Sequence, residues 1–136
     1  MSRETIGFVA CVDFDGTIAQ NAFPGIGKLV KNAKDIINKM YDEGVEIVIS
    51  SCRTGSFEAD AENYLRRHGI KYDYLNCNLP RLIEDYKQDC RKISADVYID
   101  DKCVAGLPSW EDIYEIVQAK IKTKSEQEFK MYKNNE

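Results

Sequence analysis

The sequence lacks several of the features that would settle a function class at once. It has a single histidine, His68, among 136 residues. None of its five cysteines, at positions 11, 52, 77, 90 and 103, stands in C-x-x-C spacing. A zinc site needs tighter spacing and more nitrogen ligands than this. The odd cysteine count and the apolar setting of Cys11 and Cys52 lead us to expect reduced, mostly buried thiols. Cys52 also has no histidine near it in sequence to activate it as a nucleophile.

Positive charge is not in excess either. Lys and Arg number 19 against 23 acids, a net charge of −4. That balance argues against nucleic-acid or anionic-membrane partners. No apolar run approaches the roughly 20 residues of a membrane helix. The stretch Ile6–Val12 is short and meets Asp13 and Asp15, acids that a secretory leader would not place there. We therefore expect a cytoplasmic protein. There is no internal repeat, linker or low-complexity segment.

What is present fits one globular domain. At about 150 residues per domain the chain holds one, and a domain of this size hides roughly two-thirds of its unfolded surface. A composition 43% hydrophobic and 31% charged belongs to a soluble globular class.

Apolar periodicity alternates between two kinds. Residues 6–12 read as a strand buried on both faces. Leu29, Val30, Ala33, Ile36, Ile37, Met40 and Tyr41 form a helical stripe, closed by Gly44. Residues 45–50 read as a second strand. Phe57, Ala61, Tyr64, Leu65 and His68 mark one face of a second helix, which starts near Ser56 and stops at Gly69. A weaker strand at 72–75 precedes a stripe of Leu79, Leu82, Ile83, Tyr86 and Cys90, and a strand at 97–99 follows. Ser109 should cap a last helix carrying Trp110, Ile113, Tyr114, Ile116, Val117 and Ile121. Strand and helix in alternation predict an α/β fold: a three-layer, Rossmann-like parallel sheet with helices on both faces. Residues 1–122 form the expected core. Residues 123–136 read as a polar helix extension or tail. Gly25-Ile26-Gly27-Lys28 lacks the register of a phosphate loop and should only turn the chain into the first helix.

In such a sheet the ligand crevice lies at the carboxyl ends of the strands. The polar residues fall there. The first strand ends in Asp13-Phe14-Asp15-Gly16-Thr17, the second in Ser50-Ser51-Cys52-Arg53, and the last in Asp100-Asp101, with Lys92 just ahead of it. Carboxylates gathered this closely repel unless protons or a cation intervene. An all-oxygen ligand set selects Mg²⁺, which keeps waters and meets a substrate phosphate. Ser51 and Lys92 supply the hydroxyl and the cation that a phosphate needs. Gly16 allows a tight turn that brings its N–H towards the phosphate. Arg53 could grip a second anionic group of the substrate with its planar fork, and Asn76 and Asn78 could line the rim.

This set resembles the haloacid dehalogenase-like hydrolase superfamily. Val12-Asp13-Phe14-Asp15-Gly16-Thr17-Ile18 is similar to its first motif, and Ser51, Lys92 and Asp100-Asp101 match the second, third and fourth in order. The resemblance spans residues 6–122 and is greatest to small, capless, phosphatase-type members. It implies a phosphoric monoester hydrolase with Asp13 as nucleophile, forming an aspartyl-phosphate. Asp15 would act as general acid and then base, with crowding by like charges favouring its protonated form. Ser51 and Lys92 would bind the transferring phosphoryl group, and Lys92 would offset the charge on Asp13. Mg²⁺ would be held by Asp13, the backbone carbonyl of Asp15, and the pair Asp100 and Asp101. Of that pair, strand alternation favours Asp101 as the direct ligand. Lys92 is preferred over Lys87 because its spacing to Asp100 fits a helix end facing the strand termini. The expected substrate-binding set is Gly16, Thr17, Cys52 and Arg53.

The intervals Thr17–Lys28 and Leu75–Leu79 are too short for a cap domain. An open site suits a bulky substrate, such as a phosphorylated macromolecule or nucleic-acid end, or an oligomer whose neighbour serves as lid, and the acidic charge disfavours the nucleic-acid version. A small phosphate monoester, such as a nucleotide or sugar phosphate, is the default. Two other classes compete. A receiver-type signalling domain needs a phosphoacceptor Asp after its third strand, where Leu75-Asn76-Cys77 has none. A non-catalytic phospho-ligand or protein-binding module would keep the fold without the chemistry.

Overall fold

Four parallel strands make the central sheet: β1 (Val9–Asp13), β4 (Glu46–Ser50), β5 (Tyr74–Leu75) and β6 (Val97–Ile99). Their spatial order is β5-β4-β1-β6. The remaining elements are β2 (Ala19–Ala22), β3 (Gly25–Leu29), α1 (Ala33–Asp42), α2 (Gly55–Arg67), α3 (Pro80–Tyr86) and α4 (Trp110–Asn134). These elements come from a computed structural model, which describes residues 3–134.

The β1 and β4 runs are apolar at successive positions because both of their faces are covered. Ala10, Val12, Ile47, Ile49 and Ile99 pack with Ile37 and Met40 of α1, Leu65 of α2 and Trp110 and Val117 of α4. Val9 and Val48 turn to the opposite face, where Leu79 and Leu82 meet them. The expected α/β sheet with helices on both faces is therefore present. Its two faces are unequal, since one short helix and the segment after it cover the second face.

The register decides where the acids go. Val12 lies opposite Ile99, and Asp13 lies opposite Ser50. From β1 the chain moves outward through β4 to β5, then returns to add β6 on the other side. The order thus reverses between β1 and β6, which is where ligands sit in doubly wound sheets.

Three expectations need correction. The stretch after Thr17 holds an antiparallel hairpin, β2–β3, and Leu29 belongs to β3 rather than to a helix. Gly25-Ile26-Gly27-Lys28 is most of β3. A Cβ on Gly27 would stand 2.3 Å from the Gln20 carbonyl oxygen, so glycine lets the two strands approach. Next, α3 ends at Tyr86, with Lys87 in a left-handed conformation (φ 60°), and residues 87–96 form a loop. Lys92 thus lies on a loop and not at a helix end. Last, only Cys11 among the five thiols is buried, and the other four are exposed.

Ser109 caps α4 as expected, its Oγ accepting from the Asp112 N–H at 3.2 Å. The helix continues through Asn134, so the segment from 123 is a helix extension over its described part. Residues 1–2 and 135–136 lie outside the described residues. No helix among the described residues is long and apolar enough to cross a membrane.

Candidate active site

The end of β1 and the end of β6 bring three carboxylates together. Asp13, Asp100 and Asp101 each place an oxygen within 4.8 Å of the other two. Alternation along β6 was expected to aim Asp100 and Asp101 apart. The strand stops at Ile99, however, and the turn beyond it directs both towards Asp13. Asp100 is fixed there by its own turn, accepting from the Lys102 N–H at 2.8 Å.

Thr17 holds the cluster from below. Fully buried, its Oγ1 accepts from the Asp101 N–H at 3.0 Å. Its hydroxyl proton faces Asp13 Oδ2 at 3.2 Å and Asp101 Oδ1 at 3.3 Å, and can serve one of them at a time. Thr17 is therefore occupied within the site and does not present its hydroxyl to substrate. Gly16 has φ +91°, and a Cβ there would lie 2.3 Å from Asp101 Oδ2. Its N–H donates to the Ala19 carbonyl at 2.7 Å, so it does not reach out to a phosphate. What Gly16 supplies is room for Asp101.

Burial is the main cause that raises the Asp13 carboxyl, to about 7, and the neighbouring Asp101 and Asp100 push it the same way. The cluster thus fits a hard divalent cation. It has three oxygen donors at one point, and the like-charge burden falls on Asp13, which a bound cation would relieve.

Asp15 is outside this cluster. Its oxygens accept from Arg53 Nε at 2.7 Å and Nη2 at 2.8 Å, a bidentate fork. Arg53 is only 2% exposed, and its remaining bonds go to the carbonyls of Pro24 at 3.1 Å and Gly25 at 2.7 Å. Two expectations change here. Crowding by like charges bears on Asp13 rather than Asp15, whose side chain is arranged as an acceptor. Arg53 is not an open fork at the mouth but a buried clamp between Asp15 and the β2–β3 hairpin. Asp15 raises Arg53 above its ordinary value by accepting its hydrogen bonds.

Ser51 stands one residue past β4, and its Oγ accepts from the Arg53 N–H at 3.0 Å, which leaves the hydroxyl proton free to donate. Cys52 beside it is exposed. Lys92 lines a cleft of about 290 Å³ together with Asp13, Ser50, Arg91 and Asp100. Its Nζ lies 4.7 Å from the Tyr98 ring centroid. Among the described residues it makes no ion pair with Asp13, so it does not offset that charge directly. A larger cavity of about 730 Å³ lies between β3 and α2, lined by Pro24, Ile26, Asp60, Tyr64 and Arg67, and none of Asp13, Asp15, Asp100 and Asp101 lines it. We place the candidate site at the smaller cleft because Asp13, Asp100 and Lys92 line it.

Two asparagines read as rim residues turn out to be scaffolding. Asn76 Oδ1 accepts from the Ser51 N–H at 2.7 Å. Asn78, buried, donates to the Cys90 carbonyl at 2.8 Å and accepts from the Ser94 N–H at 2.7 Å, bracketing the segment that carries Lys92. Arg91, which lines the same cleft, was missed from sequence, where only its place beside Lys92 pointed to it.

No protein-family model matches the sequence, and no curated protein matches it. Among solved structures the chain is similar to a conserved protein of Bacteroides thetaiotaomicron, with 32% identity and a TM-score of 0.74 over 82% of this chain and 90% of that one. That protein is described only as conserved. At this identity and coverage, the chain belongs to the family of that conserved Bacteroides protein.

Proposed function

We propose that the protein is a Mg²⁺-dependent phosphatase of the haloacid dehalogenase-like type, acting on a phosphate monoester through Asp13. The observation that carries this reading is the convergence of Asp13, Asp100 and Asp101 within 4.8 Å, beside a cleft lined by Lys92 and Arg91. Three acids gathered at the point where strand order reverses are costly to folding and suit a cation and a phosphate.

Asp13, Asp100 and Asp101 would hold Mg²⁺, which when bound supplies charge neutralisation between a carboxylate and an incoming phosphate. The Asp13 carboxylate attacks phosphorus, the P–O bond to the leaving group breaks, and an aspartyl-phosphate forms. The departing oxygen takes a proton. Water then attacks phosphorus and the Asp13–phosphorus bond breaks. The water's proton passes to a base, and inorganic phosphate leaves. Asp15, as oriented by Arg53, suits the second half, where a proton acceptor is required. To donate in the first half it must leave Arg53. Ser51 and Lys92 bind the phosphoryl oxygens.

The decisive assay measures hydrolysis of a chromogenic aryl phosphate with Mg²⁺, alongside Asp13→Asn. Mg²⁺-dependent turnover in the native protein, lost in the variant, supports the enzyme. A long-lived phosphoprotein without turnover would point to a signalling domain. Absence of phosphoryl chemistry over a broad panel would leave the binding-module reading.

A further inference from the structure

The chain has six arginines, at positions 3, 53, 66, 67, 81 and 91. Three of them pair with acids: Arg3 with Asp73, Arg53 with Asp15 and Arg81 with Glu46. Among the described residues the other three make no ion pair, in a chain where acids are in excess. Arginine is mostly exposed in proteins, so the lack of a partner alone means little. Here it coincides with position. Arg91 lines the cleft at Asp13, and Arg66 and Arg67 line the cavity of about 730 Å³ between β3 and α2.

The walls of that cavity are fixed. Asp60, Asn63, Tyr64 and Arg67 line it from α2, and their spacing of three, four and seven residues puts them on one face of the helix. Tyr64 is only 6% exposed. Its hydroxyl donates to the Gly27 carbonyl at 3.0 Å, and its ring lies 5.6 Å from Phe14 and 4.2 Å from His68. Pro24 and Ile26 line the cavity from the hairpin. Arg66 gives one donor to Asn63, and both guanidinium groups keep donors for a ligand. Asp60, the acid that lines the cavity, stands about 10 Å, two turns of helix, before Arg67 and does not neutralise it. The dipole of α2 favours cations in its last turn, but it does not set a cavity against them.

We infer that this cavity binds a small organic anion, with its phosphate or carboxylate group on Arg66 and Arg67 and its carbon body against Pro24, Ile26 and the Tyr64 ring. Charge chooses the class, since the guanidinium fork matches the paired oxygens of a phosphate or carboxylate. Size makes the ligand organic. A volume of about 730 Å³ lies within the range of small-molecule sites and exceeds what an inorganic ion fills. None of Asp13, Asp15, Asp100 and Asp101 lines the cavity, so binding here requires no phosphatase chemistry. The cavity borders the candidate active site through the hairpin. Pro24 and Gly25, which line it, are the residues whose carbonyls accept from Arg53.

Amide spectra of the ¹⁵N-labelled protein, titrated in chelator with glycerol 3-phosphate, with succinate and with glycerol, test this. The chelator keeps any divalent cation from Asp13. Either anion should give saturable shifts at Gly25, Ile26 and residues 63–68, and uncharged glycerol should give none. The tighter of the two anions identifies the group recognised. A hydrogen bond to a charged group is worth about tenfold or more in affinity. The double variant Arg66→Gln with Arg67→Gln should therefore weaken binding at least about tenfold. Both residues are exposed, so the variant should keep the dispersed spectrum of the folded chain. No saturable shift with either anion, an equal response to glycerol, shifts confined to residues around Asp13, or an affinity unchanged in the double variant would overturn the site. None of these results bears on turnover at Asp13, which stands or falls by the aryl phosphate assay.

Discussion

Asp13 carries two opposite demands. The nucleophilic role proposed for it requires the anion, while burial and the two acids beside it raise its carboxyl to about 7. Removing that charge should therefore stabilise the metal-free protein. In chelator at neutral pH, Asp13→Asn is expected to melt above the native chain while losing all turnover, and a lower melting temperature would mean that the acids do not crowd one another. Gly16 is constrained from the other side. Alanine there meets both a positive φ and a contact of 2.3 Å with Asp101. Gly16→Ala should destabilise the fold by about 1–3 kcal/mol and weaken Mg²⁺ binding, as read by chemical denaturation and by titration with the metal. The D-x-D-G-T run made these residues legible, because acids and glycine directly after a buried strand have few other uses. The partner of Asp15 was not legible. Arg53 is 38 positions away, and only the folded hairpin shows that its donors are taken up.

Among the elements, those with continuous apolar runs were readable and those held by polar contacts were not. β1, β4 and α1 follow from period and burial. The hairpin does not, because Ala19-Gln20-Asn21-Ala22 has little strand propensity and is held by pairing with β3 and by Arg53. The loop of residues 87–96 is a similar case, since Asn78 folds it through main-chain bonds that no periodicity reports. Asn78→Ala takes the partner from the Cys90 carbonyl and the Ser94 N–H and should cost about 1–3 kcal/mol. It should also lower kcat through the displaced Lys92, an effect that a purely structural role would not produce in the folded fraction. Lys92→Ala should abolish most turnover and Lys87→Ala should not, because Lys87 pairs with Glu84 on the exposed end of α3. Equal losses in kcat would remove Lys92 from the site. Between helices, the Tyr114 hydroxyl donates to Glu43, and that bond raises Tyr114 from 10 to about 12. A raised value favours the protonated side chain in the folded state, so its contribution is complete below pH 10 and lost as pH rises to about 12. Tyr114→Phe should melt slightly below the native chain at neutral pH, and the gap should close over that alkaline window.

Across the whole molecule, the proposed chemistry and the cohesion of the sheet meet between β1 and β6. β6 has three residues and, among the described residues, pairs only with β1, so this edge strand depends on what happens at its carboxyl end. There the acids of the two strands repel each other, and among the described residues no cation from this chain pairs with the triad of Asp13, Asp100 and Asp101. A divalent ion bridging the strands would replace that repulsion with attraction and tie β6 and the start of α4 to the centre of the sheet. Ligand binding to the folded state alone stabilises it by about 2.7 kcal/mol at a hundredfold excess over Kd. For a chain of this length that amounts to a rise of several degrees in melting temperature. Millimolar Mg²⁺ should therefore raise the melting temperature of the native protein, chelator should reverse it, and Asp101→Asn should blunt the rise while leaving the fold intact. Hydrogen exchange should show the added protection concentrated in residues 97–101 and along the first turns of α4. A native protein whose melting temperature ignores Mg²⁺ would mean that the three acids do not form a metal site, and the proposed phosphatase chemistry would lose its foundation.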